Sequence, residues 1–111
     1  MKSMVGQYNI ESVALARKCQ TEAALELVHQ SQDHNSVVNQ SQGLLLEVVY
    51  LQDLGRAEEA KLLYPQIIEK SPWINSTKEL ERDAKKALRD LKKMRKQHGY
   101  EPDCAGTTAA E

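Results

Sequence analysis

From Gly43 onward the chain turns strongly apolar: Leu44, Leu45, Leu46, Val48, Val49, Leu51 and Leu54 follow, broken by Glu47, Gln52 and Asp53. This pattern predicts a helix that is apolar on nearly all sides and must be covered on more than one face. Gly55 ends it, because glycine accepts the left-handed conformation found just past helix ends. A second helix is predicted over 57–70, since Ala57, Ala60, Tyr64 and Ile67 recur at intervals of three, four and three and share one face. Ser71-Pro72 stops it. Pro65 lies inside this span and removes a backbone hydrogen bond, so a bend is expected near Tyr64.

A third helix is expected over 77–98. Ser76 and Glu79 spell a capping box, and Leu80, Ala84, Ala87, Leu91 and Met94 then form a narrow apolar stripe. Lys92, Lys93, Arg95 and Lys96 crowd its last turns, where cations suit the helix dipole, and Gly99 closes it. Upstream, the segments 10–18 and 21–32 read as a weaker helical pair, with Val13, Leu15, Ala24, Leu27 and Val28 supplying the apolar face. Cys19-Gln20 is either a turn between them or part of one long helix. The stretch 32–36 reads as a polar loop. Residues 1–99 therefore make one helical domain, and the small polar tail 100–111 is expected to be disordered.

Composition narrows the picture. A chain of 111 residues has room for one modest core, and the few Gly (five) and Pro (three) argue against a many-turned β fold. A net charge of −1 makes the whole chain no electrostatic magnet for nucleic acid or membrane. No apolar run approaches the ~18 residues of a membrane span. Cys19, in the helical region, and Cys104, in the polar tail, are expected to be unpaired, which fits a reducing compartment and a cytoplasmic location. Asn75-Ser76-Thr77 spells a glycosylation sequon, to which the missing export signal gives little weight.

An internal repeat joins these elements. At an offset of 36 residues, Val13 meets Val49, Leu15 meets Leu51, Glu22 meets Glu58, Ala24 meets Ala60 and Leu27 meets Leu63. The same offset carries Leu44 onto Leu80 and Val48 onto Ala84. Here the chain resembles the tetratricopeptide repeat, a helix–turn–helix unit of about 34 residues. The stretch Leu54-Gly55-Arg56-Ala57-Glu58-Glu59-Ala60 is similar to that family's mid-repeat turn and small alanine, with Tyr64 at its large aromatic position and Pro72 at its closing proline. In the first copy Ala24 matches and Cys19 replaces the glycine. Leu44 stands where the family prefers Trp, Pro65 is foreign to the second helix, and the period is two residues long. The resemblance implies an all-α fold of antiparallel helix pairs, stacked as about two repeats plus a C-terminal capping helix.

It also implies a concave face lined by the first helix of each pair. The inward positions would be Asn9, Val13 and Arg17, then Leu45, Val49 and Gln52, then Glu81, Lys85, Leu88 and Arg89. Such a strip suits a helix or extended peptide of another polypeptide. Two repeats are also fewer than usual, so completion by a partner or by self-association is expected. Small bacterial chaperones of type III secretion needle subunits are similar in size and helical character, although no motif singles out that group. The Lys/Asn arrangement with which co-chaperone members grip a peptide carboxylate is not recognisable.

Other chemistry is thin. The basic end of the third helix is a candidate surface for nucleic acid or acidic lipid, but Glu79, Glu81, Asp83 and Asp90 interleave with it and no aromatic residue alternates for base stacking. A third possibility is a structural subunit of a larger helical assembly. His29, Asp33 and His34 lack the pattern of a metal site and read as loop residues. No nucleophile elbow or phosphate-binding glycine loop is present, so neither a catalytic residue nor a cofactor is expected.

Overall fold

The computed structural model describes residues 4–31, 37–71 and 74–104. The fold is all-α. Among the described residues six helical segments follow in order: α1 (Met4–Arg17), α2 (Thr21–Ser31), α3 (Val37–Asp53), α4 (Ala57–Lys61), α5 (Tyr64–Lys70) and α6 (Thr77–Gln97). The polar loop expected at 32–36, the helix-stopping Pro72 and the end of the expected tail from 105 lie outside the described residues. Among the described residues no helix is long and apolar enough to cross a membrane.

The apolar helix α3 is central. It packs against α1, α2, α4, α5 and α6, while α1 also meets α2 and α6. Its buried Leu44, Val48, Val49, Tyr50 and Leu51 join Ala24, Leu25 and Val28 of α2, Ala60, Tyr64 and Ile67 of the α4–α5 segment, and Leu80, Ala84 and Leu91 of α6. The near-continuous run of apolar residues on α3 answers to this coverage on several sides. Gly43 lies inside α3, which starts upstream of it at Val37.

The 36-residue repeat is visible in the backbone. After α1, the N–H of Gln20 donates to Leu15 O (2.9 Å) and that of Cys19 to Ala16 O (3.0 Å); after α3, Arg56 donates to Leu51 O (2.7 Å) and Gly55 to Gln52 O (3.1 Å). Both are the paired bonds of a left-handed helix stop, with φ of 63° at Cys19 and 78° at Gly55. Cys19-Gln20 is therefore a turn. Ala24 and Ala60, each fully buried, occupy matching places in the helices that follow.

At Pro65 the expected bend is a break. The N–H groups of Leu62 and Leu63 bond three residues back, to Glu59 O and Ala60 O, closing α4 in a tight final turn. A new helix starts at Tyr64, with Pro65 in its first turn. There the missing N–H has no intrahelical partner to lose, so two short helices avoid the cost of one long kinked helix. At α6, Ser76 caps the helix as expected, its Oγ accepting from the N–H of Glu79 at 3.2 Å.

Candidate partner-binding groove

Two features stand out: an apolar depression among α1, α3 and α6, and a buried polar network that fixes one end of these helices. The depression has a volume of about 220 Å³ and is lined by Val13 of α1, Leu46, Val49 and Tyr50 of α3, and Ala87, Asp90, Leu91 and Met94 of α6. Its only charged lining residue is Asp90, whose carboxylate pairs with Lys86 at 3.3 Å. Within the lining, Tyr50 is only 1% exposed. Its hydroxyl lies 2.8 Å from Ser12 Oγ, which donates in turn to Asn9 O at 2.8 Å, so the phenol is the donor to Ser12. Burial pushes the Tyr50 phenol up to about 12, against a smaller lowering by the Ser12 hydrogen bond.

Of the ten residues expected on the partner face, the groove brings together only Val13 and Val49, and Glu81 is half-buried outside its lining. Asn9 is buried, Leu45 and Leu88 are half-buried against the core, and Lys85 and Arg89 are exposed outside the groove. Arg17 lines a separate depression with Ala14, Lys18, His98 and Tyr100. Gln52 is half-buried, its Oε1 without a hydrogen-bond partner among the described residues. On α3 the lining takes Leu46 and Tyr50 beside Val49 and leaves out Leu45, which lies one position, about 100° around the helix, before Leu46. On α6 the signal was present, because Ala87, Leu91 and Met94 belong to the apolar stripe that the sequence already marks. The family resemblance directed attention instead to Lys85, Leu88 and Arg89.

The network centres on Arg95, which is fully buried. The sequence pattern grouped it with the solvated basic end of α6, and the structure corrects that. Arg95 lies four positions beyond Leu91, on the buried face. Its Nε donates to Ala16 O (2.9 Å), its Nη1 to Asp53 Oδ1 (2.9 Å) and Pro102 O (2.8 Å), and its Nη2 to Asp53 Oδ2 (2.7 Å) and Thr21 Oγ1 (3.2 Å). Thr21 Oγ1 donates to Asp53 Oδ2 at 2.7 Å. All five guanidinium N–H groups thus have acceptors, the condition under which a buried ion pair is tolerated. Burial alone would raise the Asp53 carboxyl. Hydrogen bonds from Arg95 and Thr21, with the charges of Arg95 and Lys92, outweigh it and hold the group below its usual range.

A second correction concerns the cysteines. Cys19 and Cys104 are joined in a disulfide, their Cα atoms 5.5 Å apart. After Gly99 the chain folds back toward the α1–α2 turn, so residues 85 apart in sequence meet. The segment 100–104, expected to be part of a disordered tail, is held by this bond, by Pro102 O on Arg95 and by Asp103 on Lys92 Nζ at 2.8 Å. With the cysteines bonded, their argument for a reducing compartment no longer stands.

Beside the disulfide is a larger, more polar depression of about 550 Å³, whose lining includes Cys19, Thr21, Glu22, Asp53, Asp103 and Cys104. Asp53 and Asp103 are already engaged by Arg95 and Lys92. His29 pairs with the buried Glu47 at 3.0 Å, joining α2 to α3. Asp33 and His34 lie outside the described residues, among which no group of three or more His, Cys, Asp or Glu side chains is placed to hold a metal ion.

No protein-family model, curated protein or solved structure matches the chain.

Proposed function

We propose that this protein is a non-catalytic interaction module that holds a helix or short peptide segment of another polypeptide in the groove among α1, α3 and α6. The observation that carries this reading is the groove itself: seven apolar residues and one carboxylate around about 220 Å³. That volume falls below the ~300–1,000 Å³ of small-molecule sites. It suits one or two apolar anchor side chains, as when an amphipathic helix sets its i and i+4 residues into a cleft. The 36-residue recurrence of the helix stops supports a tetratricopeptide-like arrangement, in which the first helices of successive units line the binding face.

The test uses the full chain as bait in extract from its own source. Ala87→Glu places a charge in the groove at a half-buried position, and Ala23→Glu does the same at an exposed position on α2. A partner retained by the wild type and Ala23→Glu but lost by Ala87→Glu, with helicity unchanged by circular dichroism, is the expected result. Equal retention by Ala87→Glu, or no partner on the wild type, refutes the proposal.

A further inference from the structure

The four carboxylates that interleave with the basic residues of α6 in sequence do not interleave on its surface. At 100° per residue, all eight cationic residues from Lys78 to Lys96 other than Arg95 fall within an arc of about 120°. Glu79, Glu81, Asp83 and Asp90 all lie outside it. Seven of the eight are exposed, and Lys92 is half-buried. Lys86 and Lys92 are paired with Asp90 and Asp103. Lys78, Arg82, Lys85, Arg89, Lys93 and Lys96 make no ion pair among the described residues.

This stripe is self-repelling. Its members follow one another at three- and four-residue intervals, where like charges destabilise a helix and a Glu/Lys alternation would stabilise it. It extends for about 27 Å along the helix. The rest of the chain then has seven cations against 16 carboxylates, a net −9, so the overall −1 conceals a strongly polarised molecule. The apolar face of α6 is already committed to the core through Leu80, Ala84 and Leu91. Any ligand of the stripe is therefore met by charge alone.

We infer that α6 is a docking face for an anionic lipid bilayer, to which the protein adsorbs reversibly without inserting. A bilayer leaflet is a continuous plane of headgroups that the cations of the whole arc can meet together, whereas a nucleic-acid duplex presents phosphates only along its two strands. The stripe also has no aromatic residue on which single-stranded bases could stack. Clusters of four to eight Lys/Arg on an amphipathic helix are the size that an anionic leaflet attracts. The surface is separate from the apolar groove, so this inference stands or falls independently of peptide binding.

The test is co-sedimentation of the full, disulfide-bonded chain with phosphatidylcholine vesicles containing phosphatidylserine, against pure phosphatidylcholine vesicles. Binding is expected only to the serine-containing vesicles and only at low salt. The triple variant Lys85→Gln/Arg89→Gln/Lys93→Gln should bind about a hundredfold more weakly. The variant Lys18→Gln/Lys61→Gln/Lys70→Gln, with the same loss of charge away from the stripe, should stay within about twofold of wild type. Circular dichroism checks that both remain helical, and Lys78→Gln/Arg82→Gln probes the other end of the stripe if the triple does not. Equal loss in the two triples, indifference to phosphatidylserine, or tighter binding to a DNA duplex than to vesicles at the same salt would overturn the inference.

Discussion

Replacing Arg95 with Met tests the polar network most directly. The substitution keeps much of the side-chain bulk and removes five N–H donors, leaving Ala16 O, Pro102 O and Thr21 Oγ1 without the guanidinium. The heaviest consequence falls on Asp53, whose side chain is 6% exposed and whose two oxygens both accept from Arg95. It would remain a buried carboxylate with Thr21 as its only side-chain donor among the described residues. Breaking a buried pair from one side costs about 3–5 kcal/mol. The lower end applies if Asp53 relaxes toward the adjoining polar depression that it already lines. Against a total stability of ~5–15 kcal/mol this is a large fraction, so Arg95→Lys, which keeps the charge and loses the fork, is the milder companion. Urea unfolding followed by circular dichroism reads the change from the midpoint. A double-mutant cycle with Asp53→Asn should show a coupling of at least about 1 kcal/mol, because the second change removes the charge that the first strands. A loss below about 1 kcal/mol for Arg95→Met would refute the reasoning, since that is what a solvated surface arginine would give.

Three further outcomes follow from the same geometry. The cysteines should resist a thiol-alkylating reagent until a reductant is added, and Cys104→Ser should lose up to about 4.5 kcal/mol in the chain-entropy estimate for residues 85 apart. Ultraviolet titration of Tyr50 should place its ionisation near 12 in the folded protein against 10.0 as the ordinary value. The folded pKa is raised, so this contribution to stability is complete below pH 10 and is lost as pH rises toward 12; an ordinary titration with the fold intact would contradict its burial. Gly55→Ala should cost about 1 kcal/mol, because φ is 78° and an added Cβ meets nothing within 4 Å, so only backbone strain is at issue. No change in thermal midpoint would contradict that conformation.

The all-α class was legible because each strong apolar period has the helical interval and each helix stop has its own chemistry. Gly55 and Gly99 mark two stops directly. The third, at Cys19, was hidden because a cysteine occupies the left-handed position that glycine usually fills. Pro65 announced a disruption, but the choice between bend and break depends on where Tyr64 and Ile67 can be buried together, which is a matter of packing. The disulfide was illegible because it depends on the chain's direction after Gly99, set in turn by Pro102 O on Arg95. The groove was half legible. Its residues were marked as apolar, but a single residue of rotation on α3 decides whether Leu45 or Leu46 faces it.

Arg95 ties together the ends of the helices that form the groove. The stops after α1, α3 and α6 bring three helix C-termini to one end of the molecule, where their carbonyls concentrate negative partial charge and Asp53 adds a full one. An apolar residue there would leave that end electrostatically uncompensated, whereas the guanidinium carried by α6 offers five directed donors to groups from α1, α2, α3 and the returning tail. The disulfide ties the same tail to the α1–α2 turn. Ala16 and Asp53 lie three residues beyond the groove residues Val13 and Tyr50, and Arg95 directly follows Met94. The network therefore holds the three groove-forming helices at fixed spacing just past the cleft itself. A peptide entering the groove would meet walls already in position, so less of its binding free energy would be spent on ordering them.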